Sequence, residues 1–122
     1  MLSKSTPQIR QFHQQRRQQQ LEVIEKKRQR ILAQTAKIIE ILKRHGTSKA
    51  VLFGSTLNKK QFHLKSDLDL LVYNLPLSKW LPTLLDLEEI EEISDIEIDL
   101  KRAEELPEDM LSSINQHGKI LL

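Results

Sequence analysis

The segment Ser66-Asp67-Leu68-Asp69-Leu70-Leu71-Val72 alternates acid and leucine and then turns wholly apolar. Alternation with a period of two is the pattern of a β-strand, in which successive side chains point to opposite faces. The two aspartates therefore share one face and the leucines the other. Two carboxylates on one strand face repel each other unless a cation sits between them. Mg²⁺ is the usual solution, because it prefers carboxylate and phosphate oxygens.

Eleven residues separate this strand from an earlier one that ends in a glycine. Val51-Leu52-Phe53 is a short apolar run that reads as a buried strand, and Gly54 lets the backbone turn sharply at its end. Ser55 stands where a helix would begin. A serine at a helix N-cap satisfies one free N–H, and the remaining donors with the positive end of the dipole suit a phosphate. A third acid comes from Ile96-Glu97-Ile98-Asp99-Leu100, where Ile96, Ile98 and Leu100 form an inward row and leave Glu97 and Asp99 outside. Asp99 joins Asp67 and Asp69 if the two strands pair.

Gly54-Ser55, a spacer and Asp67-x-Asp69 resemble the signature of a minimal nucleotidyltransferase of the DNA polymerase β-like superfamily. The C-terminal part agrees with it. Ile98-Asp99-Leu100, Leu106-Pro107-Glu108-Asp109 and Ile114 through Gly118 to Leu122 resemble the family's third-carboxylate strand, last helix and closing strand. The resemblance covers roughly residues 20 to 122. It implies an α+β fold of two layers, with a short mixed sheet backed by helices and led by a long N-terminal helix.

For the site, the resemblance implies Gly54, Ser55 and Ser66 at the nucleotide. It implies Asp67, Asp69 and Asp99 as metal ligands and catalytic residues, with two Mg²⁺ ions and ATP as co-substrate. The spacer departs from the family pattern, being about a residue longer than usual. Thr56-Leu57-Asn58-Lys59 replaces the small residue, Arg and Gly that often follow the Gly-Ser. Asn58 thus lacks the cation commonly placed near the phosphates, and Lys59, Lys60 and Lys65 are the loop residues that could replace it.

Small stand-alone domains of this type often resemble the antitoxin of a toxin–antitoxin pair. The partner there is a helical HEPN-type RNase, neutralised by AMP placed on a tyrosine. The expectation is therefore an AMP-transferring antitoxin in a hetero-oligomer with such a toxin. Two alternatives are a nucleotidyltransferase acting on RNA ends or a small molecule, and an inactive module of the same fold that neutralises a partner by binding alone.

A chain of 122 residues with 39% hydrophobic content holds one small domain. It has no cysteine, which excludes disulfides and thiolate metal sites. No apolar run reaches membrane-spanning length and the N-terminus lacks an apolar secretory segment, so the expectation is a cytoplasmic protein with no membrane partner.

Charge is divided unevenly. Residues 1 to 49 carry twelve Lys and Arg against three acids, or +9, and residues 50 to 122 carry seven against fourteen, or −7. The two halves also suit head-to-tail contacts between copies. Within the basic half, residues 1 to 19 form a Gln- and Arg-rich extension to the domain at 20 to 122. It reads either as an arm for RNA or an acidic surface, or as a solvated helical tail.

Apolar spacing predicts helices near 20 to 45, 78 to 93 and 107 to 117. Gly46 ends the first. Ser78 would cap the second, and Leu81, Leu84, Leu85, Ile90 and Ile93 would pack it onto the sheet, with Glu88, Glu89, Glu91 and Glu92 towards solvent. Strands are expected near 50 to 53, 67 to 73 and 95 to 101, closed by 119 to 122. The four histidines show no metal-binding pair.

Overall fold

A computed structural model describes residues 7–122. Four helices, α1 (Pro7–Ala33), α2 (Thr35–Arg44), α3 (Leu77–Glu88) and α4 (Glu108–His117), accompany four strands, β1 (Lys49–Phe53), β2 (Leu68–Tyr73), β3 (Ile98–Arg102) and β4 (Lys119–Ile120). The sheet order is β3-β2-β1-β4, with β1 antiparallel to β2 and β4 and with β2 parallel to β3. This is the expected short mixed sheet backed by helices.

Strand alternation divides the core in two. Ala50, Leu52, Leu68, Leu70, Val72 and Leu100 face α1, α2 and α3, where Ile31, Ile38, Leu42 and Leu87 meet them. Val51 and Leu71 point the other way and are covered by Ile114 of α4. Asp69 shares this second face, because it lies two residues before Leu71. α4 is ten residues long and covers only part of the face.

The predicted helix over 20 to 45 is two helices. The bend falls at Gln34, whose N–H reaches back only to Ile31 O at 3.0 Å, while Thr35 Oγ1 donates to Leu32 O at 2.8 Å. The break lets Ile31 of α1 and Ile38 and Leu42 of α2 enter one core although the helix axes differ. α2 ends in a Schellman arrangement: Gly46 at φ +98° donates to Lys43 O and Thr47 donates to Leu42 O, each at 3.0 Å. Upstream, α1 runs without a break from Pro7 through the Gln- and Arg-rich stretch, and every residue from Pro7 to Val23 is exposed.

α3 departs from its sequence reading in two ways. It starts at Leu77 after Pro76 and ends at Glu88, so Ser78 is not its cap, and Glu91–Ile93 forms a separate 3₁₀ turn. Its inner face carries Thr83 and Leu87 with Trp80 and Leu84 beside them, whereas Leu81 and Leu85 are half exposed. Leucines surround this helix, and the Trp80 indole N–H, bonded to Leu100 O at 2.8 Å, helps fix which face turns inward.

Some of the opposed charges of the two halves meet within one chain. Arg30 forms a two-pronged pair with Asp95 at 2.8 and 3.0 Å, Lys37 reaches Glu92 at 3.1 Å, and Arg44 and His45 share Asp86. These contacts tie α1 and α2 to α3 and the turn after it. Among the described residues no helix is long and apolar enough to cross a membrane.

Candidate active site

β1 delivers Phe53 to the sheet end, and Gly54 follows at φ +80°. A Cβ there would strike the Asp69 carboxylate, with Asp69 Cγ only 3.0 Å away. Glycine is therefore required twice, by backbone conformation and by the close approach of an acid. The backbone beyond β1 does not open a long helix. Gly54–Leu57 makes a single 3₁₀ turn closed by Asn58 N–H to Ser55 O at 3.0 Å, with Phe53 at the cap position and no side-chain cap. Ser55 lies inside the turn, so a long helix dipole does not act there.

Thr56, fully buried, connects this turn to its surroundings. Its hydroxyl donates to Asp67 O at 3.4 Å and its carbonyl accepts from Arg28 Nε at 2.7 Å. Asp67 stands just before β2. Asp69 lies opposite Phe53 on one side and in register with Asp99 on the other, where β2 and β3 run parallel. Strand pairing thus brings the third acid to the place the sequence reading requires.

The neighbouring carboxylates perturb Asp69. Burial, then the charges of Asp99 and Asp67, push Asp69 up to about 6, and Lys101 opposes part of that rise. Lys101 Nζ meets Asp99 Oδ2 at 2.8 Å. Among the described residues no group of three or more His, Cys, Asp or Glu side chains closes into an ion cage. The donor set nevertheless suits a hard divalent cation, which would relieve the part of the rise that comes after burial, from the charges of Asp99 and Asp67.

Gly54 also borders a cleft of about 870 Å³. Gly54, Ser55, Asn58–Gln61, Arg28 of α1 and Ser113 and His117 of α4 contribute to its wall, and no Asp or Glu does among the described residues. Lys59 and Lys60 thus border it, and Lys65 does not. Ser66 is buried, and its hydroxyl accepts the His63 N–H at 2.9 Å, a bond that shapes the loop ahead of Asp67.

The loop is also held from outside. Lys27, buried on α1, donates to Leu64 O and, at 3.3 Å, to Ser66 O, and its ammonium lies 5.7 Å from the Phe62 ring centre. Lys27 and Arg28 therefore grip the loop near its two ends. Sequence reasoning singled out neither residue, since nothing local separates them from their basic neighbours. Lys101 was also missed, although a residue two positions after Asp99 on a strand shares its face and could have been found that way.

Residues 36–122 match the sequence model of the family described as Polymerase beta, Nucleotidyltransferase. The chain belongs to this nucleotidyltransferase family. Two solved structures share the fold. One, a toxin–antitoxin crystallised with AMP-PNP, is 24% identical, with a TM-score of 0.59 and 72% of each chain covered. The other, a mutant of the toxin–antitoxin MntA-HpeT, is 20% identical, with a TM-score of 0.56, covering 72% of this chain and 71% of that one. No curated protein matches the sequence. The family match begins within α2, so α1, with Lys27 and Arg28, lies outside it.

Proposed function

We propose that this chain is a cytoplasmic, Mg²⁺-dependent nucleotidyltransferase that moves AMP from ATP to a hydroxyl, a tyrosine by resemblance, of a HEPN-type toxin, and so acts as its antitoxin. One observation carries the chemistry: Asp69 and Asp99 are in register across β2 and β3, beside a turn that only glycine can make. Membership of a nucleotidyltransferase family supports the reaction class, and fold likeness to toxin–antitoxin structures supports the kind of partner.

Asp67, Asp69 and Asp99 would hold the metal. Bound there, Mg²⁺ would lower the pKa of the attacking hydroxyl and offset phosphate charge. Gly54 leaves room for phosphate close to the backbone, and the Ser55 hydroxyl borders the same space. Asp99, paired with Lys101, would accept the hydroxyl proton. The hydroxyl oxygen then bonds to the α-phosphorus in line, the bond to the bridging oxygen breaks, and pyrophosphate leaves with the electron pair.

The test is to incubate the protein with the product of its neighbouring gene, Mg²⁺ and ATP labelled in the adenine or α-phosphate. Label should appear on the neighbour's hydroxyl and disappear with Asp67→Asn. No label with either form sinks the proposal. A second reading, a module that neutralises its partner by binding alone, is favoured by Leu77, Leu81 and Leu85, half exposed or more at four-residue spacing on α3. It predicts neutralisation that survives Asp67→Asn. The exposed Arg10, Arg16 and Arg17 of α1 suit an RNA backbone, and salt-sensitive RNA binding lost with residues 1 to 19 would identify an RNA-directed enzyme.

A further inference from the structure

We propose that the cleft beside Gly54 takes the polyphosphate of the nucleotide and that Arg28 of α1 is its principal cationic anchor, replacing the charge absent at Asn58. The inference rests on the nucleotidyltransferase reading and adds a residue from outside the family-matched segment. Four observations meet at Arg28. It lines the cleft with Gly54 and Ser55. Its side chain is 15% exposed, so it is ordered by packing before any ligand arrives. Its Nε is tied to Thr56 O at 2.7 Å, one residue beyond Ser55. Its Nη1 meets Glu25 at 3.0 Å, and Nη2 takes no protein acceptor among the described residues.

A guanidinium fixed in this way keeps a free edge of N–H donors for phosphate oxygens, with little side-chain entropy left to lose. Lys59 and Lys60 border the same cleft from an exposed loop and contribute charge without that fixation. No acid lines the cleft among the described residues. Glu25 pairs with the guanidinium without lining the cleft, competes for it, and is a convenient site for perturbation.

The experiment titrates inorganic triphosphate, and separately adenosine, into the full-length protein by calorimetry in EDTA at low salt. Wild type should bind triphosphate. Arg28→Gln should weaken it roughly ten- to hundredfold, the loss of a charged hydrogen bond, while adenosine binding stays unchanged. Arg28→Lys should recover part of the loss, and Arg30→Gln, which breaks contacts with Asp95 and the Glu92 carbonyl away from the cleft wall, should match wild type. Glu25→Gln should tighten triphosphate binding a few-fold, and it carries the test if Arg28→Gln fails to fold.

The proposal is overturned if wild type does not bind triphosphate, if Arg28→Gln binds it as wild type does, or if triphosphate and adenosine weaken alike. It is overturned too if Arg28→Gln does not fold and Glu25→Gln gives no tightening. Triphosphate binding that depends on Arg28 in a protein that transfers no label would leave this inference standing and remove the proposed reaction.

Discussion

The two sides of the Gly54 turn are opposites. On the strand side, Asp67, Asp69 and Asp99 crowd together with Lys101 as the opposing cation, and Asp69 rises to about 6. On the loop side, Arg28, Lys59 and Lys60 border a cleft with no acid in its wall among the described residues. One side is short of positive charge and the other of negative charge. A metal-bound polyphosphate, as proposed, would satisfy both, and neither a free cation nor a free anion would do so alone. The turn between them must be glycine, because of its φ of +80° and the close approach of the Asp69 carboxylate.

Removing an acid should break the comparison most severely. Asp69→Asn is expected to lower nucleotidyl transfer by about a thousandfold, measured as labelled AMP on the acceptor, as for loss of one preorganised charged group. Next comes the turn itself. Gly54→Ala, strained at φ +80° and overlapping Asp69, should cost roughly 2–4 kcal/mol in urea unfolding. Then the clamp: Lys27→Met strands two carbonyl acceptors at Leu64 and Ser66 and should cost about 2–3 kcal/mol, while exposed Lys26→Met stays within about 0.5 kcal/mol.

A smaller effect with the opposite sign sharpens the comparison. Asp69 titrates near its ordinary 3.8 when unfolded and at about 6 when folded. The folded state therefore holds the proton more tightly, and the stability this gives is full below 3.8 and is lost as pH rises through 6. Asp69→Asn should thus stabilise the protein at pH 7.5, by about 1 kcal/mol once the half-exposure of the group is discounted, and should gain nothing at pH 3.5. Thermal melts at the two pH values read this directly. Smallest of all, Arg30→Ala, which breaks an exposed pair with Asp95, should cost about 0.5 kcal/mol.

The acidic side was legible in the sequence, and of the basic side only Lys59 and Lys60 were. Alternation is local, so Asp67-x-Asp69 and Asp99 declared their faces before the strands were paired, and the parallel register brought Asp69 to Asp99. Arg28 reaches Thr56 across 28 residues and Lys27 reaches Ser66 across 39, contacts set by how α1 is rotated against the loop. Nothing periodic in a Lys- and Arg-rich helix records that rotation. The bend at Gln34 escaped for a related reason, since Ile31, Ile38 and Leu42 fit one continuous helix as well as two. α3 misled because its leucines surround the axis, and the inward face depends on a tryptophan bond to β3.

The central claim is that metal and nucleotide occupy the two sides together. Calorimetry of ATP binding, with Mg²⁺ and with EDTA, on wild type and Asp69→Asn tests it most directly. The account predicts that Mg²⁺ tightens ATP binding to wild type and that Asp69→Asn loses this enhancement but keeps the weaker binding seen in EDTA. ATP binding that is the same with and without Mg²⁺, or the same in both proteins, would contradict it.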